Sequence, residues 1–160
     1  MIGLMADSHD NLTKIKSAVE IFNQEKCSLV IHAGDFVAPF AAKELKNLQC
    51  PVKAVYGNCD GERFGLKKAF NGIGELQDSP FSFNYNNFNF LVLHIPHLLD
   101  TYVDSGEYNI IVYAHTHKPE AEKKKDMIVI NPGETGGWLS DKGTVVLLDI
   151  DELSWVFIEL

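Results

Sequence analysis

Residues 2–9, Ile2-Gly3-Leu4-Met5-Ala6-Asp7-Ser8-His9, set an apolar run directly against a polar Asp-x-His triplet. Ile2 to Met5 reads as a short buried strand. Asp10 or Asn11 can cap the next helix, whose apolar face is Leu12, Ile15, Val19 and Phe22, spaced three, four and three apart. Leu29-Val30-Ile31 reads as a second buried strand. Pro39 suits the first turn of a second helix carrying Phe40, Ala41, Leu45 and Leu48, and Val52 to Tyr56 reads as a third strand. Strand, helix, strand, helix, strand implies a parallel sheet with right-handed crossovers.

The middle of the chain changes period. Phe81, Phe83 and Tyr85 alternate with polar residues, Asn86-Asn87 suits a hairpin turn, and Phe88, Phe90 and Val92 alternate along the return strand to His94. A short helix is expected around Leu98, Leu99, Tyr102 and Val103, then a buried strand from Ile110 to Tyr113. Two strand pairs close the chain, Pro119 to Lys123 with Met127 to Ile130, and Thr144 to Asp149 with Leu153 to Ile158. Early crossovers and late hairpins together predict two sheets packed face to face with helices outside. The glycine-rich stretch Gly57–Gly74 is expected to form a mobile wall of the functional site.

The 160 residues fit a single domain spanning 1–160. Apolar residues at 46% exclude a disordered chain, yet no stretch reaches the roughly 18 apolar residues of a membrane span. The start of the chain meets Asp7 at once and does not read as a secretory leader. Cys27, Cys50 and Cys59 are an odd, unclustered set, which suits a reducing cytoplasm better than a disulfide framework. A net charge of −8 argues against duplex nucleic acid as a partner. The run Lys123-Lys124-Lys125 is flanked by Glu122 and Asp126 and reads as a solvated turn.

The chemistry lies just beyond the carboxyl end of each apolar strand. Asp7-Ser8-His9 comes first, then Gly34-Asp35, Gly57-Asn58-Cys59-Asp60, His94, and His115-Thr116-His117. A lone Asp after a strand is ordinarily a turn or a cap. Five strands that each deliver a metal-ligand type at the edge where open sheets bind ligands are a different matter. In Asp-x-His and His-x-His, residues i and i+2 project to one side of an extended chain and can face one metal. Gly34 and Gly57 allow the backbone to turn sharply before Asp35 and Asn58. A donor set of carboxylate, imidazole and amide suits manganese, iron, nickel, cobalt or zinc more than magnesium alone.

The same residues, in this order over positions 7 to 117, resemble the calcineurin-like metallophosphoesterases. Ile130-Asn131-Pro132-Gly133 extends the likeness toward the small YfcE-type phosphodiesterase branch of bacteria and archaea. The resemblance implies an α/β fold, a four-layer α/β/β/α sandwich of two mixed sheets flanked by helices. It also implies a dinuclear site, in which Asp7, His9 and His117 hold one metal. Asn58, His94 and His115 hold the other, and Asp35 bridges them. Two divalent ions are expected, manganese foremost, with nickel, iron(II), cobalt or zinc as alternatives. The implied reaction is in-line attack of a metal-bridging hydroxide on a small phosphodiester or nucleotide-like substrate. No membrane partner is expected, and a homo-oligomer is open.

The chain departs from the family pattern at one chemically important place. Cys59 stands where many members carry a His that assists the leaving group, although the small phosphodiesterase branch commonly lacks that His. A neutral thiol is a poor acid. Asp60 matches the acidic position that orients the loop, and His97 is the best spare proton donor. Ala114 replaces a usual Gly, and Ile95-Pro96 comes after His94 where Gly is common. His32 reads as a core or supporting residue, Trp138 and Trp155 as packing residues, and Gly133, Gly136 and Gly137 as turns. Two alternatives to a phosphodiesterase stay open: a phosphomonoesterase on the same site, and a non-catalytic scaffold akin to the retromer subunit that shares the fold.

Overall fold

The structure is a computed structural model that describes residues 1–124 and 127–160. Lys125 and Asp126, the end of the basic run, lie outside the described residues.

The first strand, β1 (Ile2–Met5), leads to α1 (Leu12–Gln24), β2 (Leu29–His32), α2 (Pro39–Glu44) and β3 (Val52–Val55). Asn11 caps α1, its side chain accepting from the Lys14 N–H at 3.3 Å. Helix α1 turns Ile15, Ala18, Val19 and Phe22 inward, while Leu12 at its first position is 40% exposed. In α2, Pro39 takes the first turn and Ala41 and Ala42 are the buried positions, whereas Phe40 faces out. Gly57–Gly74 contains regular structure. It holds α3 (Arg63–Ala69), with Leu66 buried, and leads into β4 (Gly74–Gln77).

The hairpin strands β5 (Phe81–Tyr85) and β6 (Phe88–Val92) meet across Asn86 and Asn87, both at positive φ, the backbone that a two-residue turn demands. Then come α4 (Leu99–Ser105), β7 (Ile110–Val112), β8 (Glu120–Lys124), β9 (Met127–Asn131), β10 (Thr144–Asp149) and β11 (Ser154–Glu159). One sheet runs β11-β10-β1-β2-β3-β4 and the other β5-β6-β7-β9-β8. Strands β1 to β4 pair in parallel, as do β6, β7 and β9, and the remaining pairs are antiparallel.

The alternation of side chains along each strand builds the layers. Leu29 and Ile31 face Phe90, Val92, Ile110 and Val112 of the opposing sheet, while Val30 between them packs under the helices with Phe22 and Ala42. Leu91, Leu93, Ile111 and Tyr113 cover the outer face of the second sheet against Leu99, Tyr102 and Val103 of α4. The result is helix, sheet, sheet, helix, as the sequence leads one to expect. Both sheets present the carboxyl ends of their parallel strands at the same rim, where the candidate ligands stand.

Candidate metal centre

The loop after β1 supplies Asp7 and His9, that after β2 supplies Asp35, and that after β3 supplies Asn58. The second sheet contributes His94 after β6 and His115 and His117 after β7. Asp7, His9, Asp35, His115 and His117 all adopt left-handed backbone, with φ between 41° and 72°. Such conformations cost on the order of 1–3 kcal/mol each and concentrate where the surroundings impose a functional geometry. They correct one expectation. Neither Asp-x-His nor His-x-His is extended: Asp7 and His9 still come together beside His117, but His117 stacks on His9 at 5.2 Å, whereas His115 meets His94 edge-on at 5.3 Å. The His-x-His pair therefore splits between two clusters.

The Asp35 Oδ2 atom faces both of them. It lies 3.7 Å from His9 Nε2 and 3.4 Å from His94 Nε2. On one side His117 Nε2 is 3.9 Å from Asp7 Oδ1. On the other, Asn58 Oδ1 is 2.8 Å from His94 Nε2. His94 Nδ1 lies 2.9 Å from the Ala33 carbonyl, which can only accept, so the proton belongs on Nδ1. In neutral His94 the Nε2 lone pair then faces the oxygens of Asn58 and Asp35, a convergence that a cation would relieve. Among the described residues, the buried side-chain polar atoms without a hydrogen-bond partner are Asp7 Oδ1, His9 Nε2 and His117 Nδ1. Buried polar atoms are rarely left unpaired, and all three belong to candidate ligands. The donor set and its orphaned atoms fit a pair of divalent cations.

Electrostatics in the metal-free protein agree. Burial, reinforced by the Asp35 charge, raises the Asp7 carboxyl to about 6 despite the nearby His94 and His117. Burial would raise Asp35 too, but without metal its contact with His94 favours the protonated imidazole, whose hydrogen bond and charge, with the Cys59 N–H at 2.8 Å, hold Asp35 well below the usual carboxylate range.

Glycine is required at two loop positions. Gly34 has φ of +100°, and a Cβ there would stand 2.8 Å from both the Gly57 nitrogen and His94 Nδ1. At Gly57 a Cβ would come within 2.0 Å of Asp35 Oδ1. Asp60, buried and facing away from the cleft, accepts from the N–H groups of Gly57 (2.7 Å), Val37 (2.7 Å) and Asp35 (3.0 Å). It ties the second and third loops together. Cys59 is exposed, and its thiol comes within ligand range of His9 and Asp35. Burial and then the Asp35 contact push that thiol up to about 11. His97 stands apart from the ligand clusters, in the wall of an adjoining cavity with Asn58 and His94.

Two supporting groups extend the site. Fully buried His32 accepts from the Gly34 N–H at Nδ1 (3.1 Å), so its Nε2–H donates to Ser8 Oγ (3.0 Å), bracing the loops of Asp7 and Asp35. Glu134, which the sequence did not single out, is fully buried after β9. It accepts from the N–H groups of Trp138 (2.8 Å), Leu139 and Ser140 (2.9 Å) and stands 3.5 Å from His117 Nδ1. At that distance, beyond a hydrogen bond, its charge favours a proton on Nδ1 and leaves Nε2 free toward Asp7. Its signal was present, an acid beyond the carboxyl end of a strand, but hidden behind Pro132-Gly133. Trp138 is not a packing residue: it is 62% exposed on the rim of the metal cleft, its Nε1 donating to the His9 carbonyl at 3.0 Å. Trp155 does pack against the inter-sheet core.

Comparison with known proteins converges on the same reading. A family model described as the calcineurin-like phosphoesterase superfamily domain matches residues 1–153. A curated phosphodiesterase from Methanocaldococcus jannaschii is 41% identical over 155 residues, covering 94% of this chain and 93% of that protein. The solved structure of an archaeal phosphodiesterase superposes with a TM-score of 0.94 at 40% identity, covering 99% of both chains. The E. coli YfcE phosphoesterase superposes at 0.66 with 19% identity over 99% and 97% of the two chains, a likeness of fold alone. Ligand types gathered at one rim of two stacked sheets, and a family match across nearly the whole chain, make this protein a member of the calcineurin-like phosphoesterase superfamily.

Proposed function

We propose that the chain is a metal-dependent phosphodiesterase that hydrolyses its substrate by in-line attack of water at a dinuclear site. The observation that carries this reading is the position of Asp35 Oδ2 between His9 Nε2 and His94 Nε2, each at the head of its own ligand cluster. Asp7, His9 and His117 would hold one cation, Asn58, His94 and His115 the other, and Asp35 both. When bound, two divalent cations lower the pKa of water and neutralise phosphate oxygens in the transition state. The chain's own residues orient those ligands. Ala33, Glu134 and Asp60 fix the two imidazoles and the bridging loop, while Trp138 and Leu139 wall the cleft.

A diester is favoured over a monoester by the fate of the chain's single arginine. Arg63 is paired with Asp78 and stacked on Tyr56, so it is not free to receive the second charge of a monoester dianion. Manganese is the first choice of metal, with nickel, iron, cobalt and zinc compatible with the donors. Three free cysteines suit work in the cytoplasm.

Metal-stripped protein, reconstituted with each of these dications, tests the proposal on 4-nitrophenyl phosphate and bis(4-nitrophenyl) phosphate. Turnover should require metal, be faster on the diester, and vanish in Asp35→Ala. Stoichiometric metal binding with no turnover of either ester would point instead to a scaffold.

A further inference from the structure

A second cavity, of about 430 Å³, opens beside the metal cleft and shares Asn58 with it. Its volume lies in the range of small-molecule sites. Asn58 and His94, both candidate ligands, line it, so a phosphorus atom held at the cleft would carry one of its ester substituents toward this space. On one wall the Arg63 guanidinium lies over the Tyr56 ring, 4.5 Å from its centroid, and is bonded along its edge to Asp78. The Tyr56 hydroxyl donates back to the Arg63 carbonyl at 3.3 Å. These contacts hold the guanidinium flat, and the Arg63 side chain keeps 55% of its surface exposed. The lining also includes the apolar Leu93 and Leu98, with Tyr102 and His97.

A planar cation with a neutralising partner and an uncovered face recognises a flat ring better than a second anion. Resting on the phosphodiesterase reading above, we propose that this cavity binds one ester substituent of the substrate and selects a planar aromatic or heteroaromatic ring, as a nucleoside provides, by stacking it on Arg63. Arg63 and Tyr56 flank the Gly57-Asn58-Cys59-Asp60 loop but are not themselves candidate ligands. The cavity thus gives the chain a means of choosing among diesters that the metal cleft alone would treat alike.

Two slowly hydrolysed dialkyl diesters test this as competitive inhibitors of bis(4-nitrophenyl) phosphate turnover by the manganese-loaded enzyme. One is thymidine 5′-methyl phosphate and the other ethyl methyl phosphate, with calorimetric Kd values measured alongside. The thymidine diester should bind at least tenfold more tightly. Arg63→Met and Arg63→Lys should both reduce that advantage to within about twofold, while the ethyl diester is affected less than twofold by either change. Equal binding of the two diesters, or an advantage that survives in Arg63→Met, overturns the proposal. An advantage retained in Arg63→Lys alone overturns ring stacking in favour of simple charge. Failure of the loaded enzyme to hydrolyse any diester instead defeats the phosphodiesterase reading, and this proposal falls with it.

Discussion

His32 shows how the loops that carry the candidate ligands are braced by a neutral group. Burial lowers its imidazole to about 3, so it stays uncharged in the fold, whereas in the unfolded chain it takes up a proton near pH 6.5. Its contribution to stability is therefore complete above that pH and is lost as the pH falls toward 3, by about 1.4 kcal/mol per unit. In urea unfolding of the metal-free protein, the stability of wild type relative to His32→Gln should shrink at that slope between pH 6 and 4. A difference that does not change with pH would refute the neutral, buried assignment. Glu134 acts on the other side of the site. Glu134→Gln removes the charge facing His117 Nδ1 and should weaken metal binding roughly 10- to 100-fold in equilibrium dialysis. The seven candidate ligands could be read from the chain because each stands just after an apolar strand. Glu134 and the exposed setting of Trp138 could not, because both depend on how the loop after β9 folds back across the first sheet's edge to His9.

At the scale of elements, a strand was legible wherever alternation or an apolar run met a turn signal. The β5–β6 hairpin is the plainest case. Asn86 and Asn87 adopt φ of 49° and 66°, and Asn-Gly is the preferred pair for such a turn. Asn87→Gly should therefore stabilise the protein by about 0.5 kcal/mol, read as a raised denaturant midpoint with unchanged slope. An unchanged or lowered midpoint would mean that the Asn side chain contributes more than its backbone strain costs. Helix α3 and strand β4 escaped the sequence reading because Gly61, Gly65, Gly72 and Gly74 look like loop punctuation. Gly74 is in fact a packing requirement: a Cβ there would stand 1.9 Å from the Val52 carbonyl oxygen. The i, i+2 argument failed for His115 and His117 for a related reason. Local periodicity assumes ordinary backbone, and the site is built from left-handed residues held by contacts distant in sequence, such as Asp7 Oδ2 accepting the His115 N–H.

Over the whole molecule, two sheets with their parallel strands aligned at one rim let loops from both converge on Asp35. This arrangement provides for metal ligands more fully than for acid catalysis. Cys59 takes the place of a leaving-group histidine, and burial holds its thiol protonated near 11 in the metal-free protein, too weak an acid to match a catalytic imidazole. Diesters with a graded series of leaving groups should thus react progressively more slowly as leaving-group pKa rises, with a steep linear free-energy slope where chemistry limits the rate. A flat slope would reveal a proton donor in action, with His97 the first to examine. The central claim, a carboxylate shared by two neighbouring cations, is tested most directly by anomalous diffraction from manganese-loaded crystals. Two peaks roughly 3.5–4 Å apart should appear, with Asp35 between them. A single peak, or two that Asp35 does not touch, would contradict it.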